Sequence, residues 1–438
     1  MPVSRRGFFS VLGSGSDRSA LASMLSARGR EADFADQGQG QGGGAGQGAG
    51  QAGQGQGGAG GQGRGGGRGG GAQRPALPEG VEVIRISSNE NPLGPGKAAL
   101  DAITGKFPEA GRYPFNSTPN ETKLVETIAA LHKVKPEHIV IGAGSQEILK
   151  SAVRAFTSPF RPMVTAAPTF ENCTGLCRSL GHPVYEVKVD SQMRLDLEGM
   201  IAVVRGAGLV FLNNPNNPTA TVHSLKAVTD FVERVRRISP DTVILIDEAY
   251  HDYVTDPEYQ TAIPLAMSAP NVFVARTFSK AYGMAGIRIG YAIGSTDSVK
   301  PLARLKMPYN VSVFGIAAAI AALNDPKHIE AERARNTEVR SFTAKAFESL
   351  GCKPSASQGN FLFVDIGRPA REFRDACAAQ GVNVGRDFPP FENTHVRVSI
   401  GTMDEMRRAT AVFRDVLRPV VPAGSGRTPS LTQVKRGV

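Results

Sequence analysis

From residue 139 to 276 short, continuously apolar runs alternate with amphipathic stretches, and no other feature restricts the fold as much. Val243-Ile244-Leu245-Ile246 is apolar on both faces of an extended chain, so it needs cover above and below. Ile139-Val140-Ile141, Leu209-Val210-Phe211-Leu212 and Val272–Ala275 read the same way. Between them Ile148, Leu149, Ala152, Val153 and Phe156 recur at helical spacing, as do Leu225, Val228, Phe231, Val232 and Val235. This is the pattern of an α/β fold, a mostly parallel sheet with flanking helices. After about Met307 the pattern changes. Helical stretches dominate from Val313 to Leu350. A strand at Phe361–Val364, a helix near Ala370–Gln380, a strand at Val396–Ser399 and a helix from Met403 follow. That mixture suits a smaller α+β domain.

Composition matters mainly for the ends. The chain has 438 residues and 51 glycines, and 21 of those glycines lie between Gly38 and Gly71. That Gly/Gln/Ala run has no apolar side chain larger than Ala, so it cannot offset the entropy of backbone ordering and reads as a flexible tether. Most of the formal charge of +10 also belongs to the ends: residues 75–423 hold 39 basic and 36 acidic side chains, a net of only +3. Nucleic-acid binding by the folded body is therefore not expected. Gly63-Arg64-Gly65 and Gly67-Arg68-Gly69 resemble RNA-binding segments but have no aromatic partners. Ser4-Arg5-Arg6-Gly7-Phe8-Phe9 resembles a twin-arginine export signal followed by a short apolar stretch, which leaves export to the periplasm and cytoplasmic residence both open. The expected divisions are a leader at 1–36, a linker at 37–74, an N-terminal arm and the start of the small domain at 75–120, a large domain at 121–306, a small domain at 307–423 and a basic tail at 424–438.

No uninterrupted apolar run is long enough to cross a bilayer, so stable membrane insertion is not expected. Four cysteines are too few for a disulfide scaffold. Cys173 and Cys177 share a helix face, but no histidine or second cysteine pair completes a zinc site, so no metal is expected and buried thiols are the reading.

Polar residues gather where the strands end: Ser145 and Gln146, Asn217, Asp247 and Tyr250, then Thr277, Ser279, Lys280 and Arg288. Open α/β sheets bind ligands at that edge. Each residue alone also has a structural reading: Ser145 and Asp247 as helix caps, Asn217-Pro218 as a turn, Lys280 as a surface lysine. Together, a lysine, a carboxylate, hydroxyls, an arginine and a helix start are what a pyridoxal 5'-phosphate site requires.

The same residues carry a resemblance. Asn89-Glu90-Asn91-Pro92-Leu93-Gly94-Pro95, Arg112-Tyr113-Pro114, Gly142-Ala143-Gly144-Ser145-Gln146-Glu147-Ile148 and Pro168-Thr169-Phe170 appear in order. Asn214-Pro215-Asn216-Asn217-Pro218-Thr219, Asp247-Glu248-Ala249-Tyr250, Thr277-Phe278-Ser279-Lys280 through Arg288, and Val396-Arg397-Val398-Ser399-Ile400-Gly401-Thr402 follow. From about Ile86 to Leu417 the chain resembles the fold-type I pyridoxal phosphate aminotransferases, in particular the histidinol-phosphate branch.

The resemblance implies a role for each position. Lys280 forms the Schiff base with the cofactor and then moves a proton. Asp247 pairs with the ring nitrogen, and Asn217 and Tyr250 hydrogen-bond the ring oxygen. Gly144, Ser145, Gln146, Thr277, Ser279 and Arg288 surround the phosphate, and Phe170 stacks on the ring. Tyr113 reaches the phosphate of a neighbouring subunit, which implies a homodimer. Arg397, helped by Asn360, binds the anionic group of the substrate, which in the histidinol-phosphate branch is the phosphate. Arg386 bears on substrate choice. Four positions depart from the family pattern: Phe170 stands for the usual Tyr, Gln146 for Asp and Ala220 for Gly, and the arginine after Val384 is shifted by one to Arg386.

The implied activity is transamination between an amino acid or amino-alcohol phosphate and a 2-oxo acid such as 2-oxoglutarate. A decarboxylase of the threonine-phosphate type shares nearly all these motifs. A non-catalytic or RNA-associated protein is the alternative of another class, but residues 1–74 contain no helix-turn-helix pattern.

Overall fold

The computed structural model describes residues 82–418. The export motif, the Gly-rich linker, the arginine–glycine segments and the basic tail lie outside the described residues.

Twelve strands form three sheets among the described residues. In chain order they are β1 (Ile84–Ile86), β2 (Ile139–Gly142), β3 (Met163–Ala167), β4 (Val184–Lys188), β5 (Leu209–Asn213), β6 (Val243–Asp247), β7 (Val272–Thr277), β8 (Gly290–Gly294), β9 (Lys353–Pro354), β10 (Phe361–Asp365), β11 (Val382–Val384) and β12 (His395–Ser399). The large sheet has the order β2-β8-β7-β6-β5-β3-β4. Strands β4, β3, β5, β6 and β7 pair in parallel, and β8 alone runs against both of its neighbours. The mostly parallel α/β sheet expected from the apolar runs is present.

Every residue of β5, β6 and β7 is buried, as continuous apolar runs demand when helices cover both faces. Helix Leu225–Ile238 turns Val228, Phe231, Val232 and Val235 onto the sheet, and its first turn is closed by the Ser224 side chain accepting from the Ala227 amide. Helix Ser145–Phe156 buries Ile148, Leu149, Ala152, Val153 and Phe156 on the opposite face, against a cluster that includes Phe211, Leu245 and Phe273. Each large side chain so buried contributes roughly 1.5–3 kcal/mol. Cys173 and Cys177 lie buried and free on helix Asn172–Ser179 in that same cluster, with burial pushing both thiols up.

A separate core holds the ends of the described chain together. β1 pairs in parallel with β11, and β12 and β9 flank β10 in antiparallel fashion. Ile84, Ile86, Leu362, Val364, Phe373, Val398 and Phe413 pack in one cluster, capped by helix Met403–Leu417 with reciprocal Thr402 and Glu405 bonds at its start.

The two cores divide the chain differently from the expected boundaries. Helix Val313–Leu323 packs with helix Lys97–Gly105 on the large core, through Ile316, Ala318 and Ala319 against Ala99 and Ile103. The large body therefore reaches past 306 and also claims part of 75–120. The physical reason is that Val313–Leu323 is apolar on nearly every side, so it must be covered, and it is covered in the large core. No described helix is long and apolar enough to cross a membrane.

Candidate active site

Register places the site. Asn213 lies opposite Asp247, and Asp247 opposite Ala275, so β5, β6 and β7 end together and their following loops share one edge. A buried ion pair fixes two of these ends. The Arg276 guanidinium donates to Glu248 at 2.8 Å, and Glu248 also accepts from the Ala262 amide at 2.6 Å and the Thr261 hydroxyl at 2.8 Å. A buried pair with its lone pairs satisfied resists displacement, because losing either partner leaves a bare charge.

At one end of this edge is an anion cradle. Gly144 precedes helix Ser145–Phe156 with φ +74, where a side chain would be strained. A Cβ on Gly144 would meet the Arg288 guanidinium at 2.2 Å, and one on Gly290 would meet the Ser145 amide nitrogen at 2.3 Å. The helix start, Arg288 and β8 therefore converge as closely as bare glycine allows. Thr277 donates to Ser279 at 3.0 Å, and Arg288 donates to the same Ser279 hydroxyl at 3.3 Å. Exposed amides at a helix start, two hydroxyls and a guanidinium suit a dianionic phosphate.

In the middle are Asp247 and Lys280. Asp247 is only 2 % exposed, and its side-chain hydrogen bond among the described residues comes from the Ala249 amide at 3.2 Å. Burial pushes its carboxyl up to about 7, against the Ala249 bond and the Lys280 charge, which pull it down. Burial pushes the Lys280 amine down to about 8, and the Arg397 charge acts the same way. The amine donates to the Asn89 carbonyl at 3.1 Å and the Ser88 carbonyl at 3.3 Å, and it lies 5.6 Å from the Tyr250 ring centre. No hydrogen bond joins Lys280 to Asp247 among the described residues. A half-buried cation and a buried anion that sense each other without touching have room for a group between them. Tyr250 packs edge-on against Phe361 and accepts from Asn89 at 3.1 Å, and burial pushes its hydroxyl up to about 12.

Arg397 forms the other end. It is 6 % exposed and donates to the Asn217 side chain at 2.8 Å and the Ser87 carbonyl at 2.5 Å. Its Nε is buried with no partner among the described residues, as is the Oδ1 of Asn360. Buried polar atoms without partners are rare and here mark a place for an anion. Burial pushes the guanidinium down to about 10, yet it remains charged at neutral pH. Asn360 donates to the Glu90 carbonyl at 3.3 Å.

The edge thus gathers Gly144, Ser145, Thr277, Ser279, Arg288, Asp247, Tyr250, Asn217, Lys280, Arg397 and Asn360. Gln146 is exposed on the first turn of its helix, and Phe170 packs half-buried against the sheet cluster. Arg386 lies at the mouth, bonded to Glu171. Tyr113 is 64 % exposed, and its ring packs with Phe115 and Tyr309.

Sequence reasoning gave no role to Asn89, Ser399, Phe388 or Glu171. Asn89 holds φ +54 and exchanges bonds with Ser399 in both directions, at 2.8 and 2.7 Å. Its place in Asn89-Glu90-Asn91-Pro92 was the available signal. Glu171 had only its position after Thr169-Phe170.

The residues fit pyridoxal phosphate: a dianion cradle, a carboxylate with no cation of its own, an amine freed for covalent chemistry, and beyond it a waiting anion site. The class so defined is the fold-type I pyridoxal phosphate enzymes. Residues 81–413 match the family model for aminotransferase class I and II, and the chain belongs to that family. It is similar to the histidinol-phosphate aminotransferase of Moorella thermoacetica, with 36% identity over 342 residues, 78% of this chain and 86% of that protein. The histidinol-phosphate aminotransferase of Sinorhizobium meliloti, solved in complex with pyridoxal-5'-phosphate, superposes with a TM-score of 0.71 at 29% identity, covering 77% of this chain and 91% of that one. Aspartate aminotransferase from Thermus thermophilus with maleate shares the fold, with a TM-score of 0.68 at 20% identity over 77% of this chain and 92% of that one. The protein is a pyridoxal phosphate-dependent aminotransferase of the histidinol-phosphate aminotransferase-like kind. These relatives do not favour the decarboxylase or the non-catalytic alternative.

Proposed function

We propose that this site moves an amino group from an anionic amino donor to a 2-oxo acid, with Lys280 as the group that both carries the cofactor and shuttles the proton. The reading rests on the Lys280–Asp247 arrangement: Asp247 is buried and Lys280 half-buried, and their charges act on each other without a hydrogen bond between them. When bound, pyridoxal phosphate supplies an aldehyde for amines and an electron sink for the bond broken at the donor carbon.

The chain's own residues do the rest. An amine shifted to about 8 has an appreciable neutral fraction at neutral pH, so Lys280 can act first as nucleophile and later as base at the donor carbon. The Ser88 and Asn89 carbonyls hold the Lys280 ammonium in between. With the cofactor bound, Asp247 would place its carboxylate toward the ring nitrogen, Asn217 and Tyr250 would offer hydrogen bonds to the ring oxygen, and Phe170 would cover a ring face. Gly144, Ser145, Gln146, Thr277, Ser279 and Arg288 would hold the phosphate. Arg397 and Asn360 orient the donor through its anion. The donor leaves as a carbonyl compound, and a 2-oxo acid takes up the amino group in the reverse sequence.

The working unit we propose is a homodimer in which Tyr113 reaches the partner's cradle. Tyr113, Phe115, Met307 and Tyr309 are all more than half exposed, an apolar surface that a second copy would cover. The Arg5-Arg6 motif supports export by the twin-arginine route, which carries folded, cofactor-loaded chains.

The test is a donor panel on the full-chain holoenzyme with 2-oxoglutarate, including histidinol phosphate, aromatic and basic amino acids. Keto product and loss of the lysine-bound cofactor's absorption are followed together. At least one donor should give both. A panel with no turnover, or with carbon dioxide as the product, would contradict the reading.

A further inference from the structure

Glu147 lies in the stretch that forms the cradle, and neither the motif reading nor the proposed reaction gives it a role. The first amides of a helix have no partner within the helix and are what a phosphate meets. A carboxylate in that same first turn has the ligand's sign of charge, so by electrostatics alone Glu147 weakens the cradle.

Its contacts point the other way. The carboxylate turns back past the helix start and accepts from the Ala143 amide at 2.7 Å. Arg288 donates to the carbonyl of the same residue at 3.4 Å. Ala143 is therefore gripped on both of its peptide groups, one step before Gly144, whose φ of +74 swings the chain into the helix. The aim of the helix's first amides depends on that step.

Glu147 is itself anchored. It accepts from the Asn310 side chain at 2.7 Å and from the Met307 amide at 3.3 Å. Asn310 also reaches the Ile141 carbonyl, at 3.5 Å. The segment that supplies these donors is pinned on both sides, by an ion pair between Lys306 and Glu121 and by Val311 in the large core. Three donors on one half-buried carboxylate make it a strut between the cradle turn and a fixed part of the large body.

We infer that Glu147 is a positioning residue that sets the cradle's grip on the cofactor phosphate, so that its carboxylate strengthens anion binding despite its charge. The inference rests on reading the cradle as the phosphate site. It bears most on the amine form of the cofactor, which has no aldehyde to bond to Lys280 and stays in place by noncovalent contacts alone. In transamination the cofactor carries the amino group between the two half-reactions in that form, so Glu147 governs how well the enzyme keeps its cofactor while it works.

Pyridoxamine 5'-phosphate and pyridoxamine, which lacks the phosphate, are the probes, titrated calorimetrically against the full chain freed of cofactor. The parent should bind the phosphorylated probe at least about a hundredfold tighter. Glu147→Ala should cut that preference about tenfold, and Asn310→Ala, which removes one of the donors that hold the carboxylate, about threefold. A general loosening of the fold would weaken both probes alike and leave the preference where it was. Loss of a repelling charge with no positioning role would raise it. Either result in Glu147→Ala, or an unmoved preference in Asn310→Ala should the first variant not fold, would overturn the inference. A parent that bound both probes equally would instead overturn the cradle as the phosphate site, and the inference with it.

Discussion

The cradle end of the site and the anion end are built on different principles. At the cradle, Gly144, Ser145, Thr277, Ser279 and Arg288 come from strand ends of one sheet, and backbone approach sets their spacing to within a Cβ. At the anion end, Arg397 of β12 bonds to Asn217, 180 residues away and in the other body, and Ser399 bonds to Asn89, 310 residues away. The first end is rigid by construction. The second exists only when the two bodies stand in one arrangement. A cofactor must stay through many turnovers, whereas a donor must enter and leave, and the two constructions match those needs.

Two substitutions separate the ends. Arg397→Ala should lower kcat/KM for the best donor by about a hundredfold, the loss expected when a buried anion loses its charged partner. Cofactor affinity, read by titrating the cofactor-free protein, should change by no more than about twofold. Gly290→Ala should do the reverse with a smaller effect. Its Cβ would fall 2.3 Å from the Ser145 amide nitrogen and 2.7 Å from the Gly144 carbonyl carbon, both backbone atoms, so β8 and the helix start must separate. Cofactor affinity should fall about tenfold, and the order of preference among donors should stay the same. If either variant struck both properties alike, the two ends would not be independent.

The same contrast explains what was legible in the sequence. Asp247, Thr277, Ser279 and Lys280 could be placed because they follow continuous apolar runs, and strand ends in an α/β sheet share an edge. The cradle and the centre of the site were readable for that reason. β3 and β4 were not anticipated: Thr165 interrupts β3, and the edge strand β4 carries Glu186 and Lys188 among its few apolar residues. β8 was hidden by a glycine at each end, Gly290 and Gly294, and by its reversed direction. The body to which Val313–Leu323 belongs could not be read, since a helix apolar all round has no preferred face. The Glu171–Arg386 pair spans 215 residues and joins two loops, so no local pattern announces it.

Whether Lys280 carries the cofactor can be read on the chain itself, by borohydride reduction of the loaded full-length protein. Reduction makes the lysine–cofactor bond permanent, so peptide mass mapping finds the modified residue. One cofactor adduct per chain is expected, on the peptide that contains Thr277-Phe278-Ser279-Lys280, and none in Lys280→Ala, which should also lose transamination by at least about a thousandfold. An adduct on any other lysine, or a Lys280→Ala protein that still turned over donor at the parent rate, would contradict it.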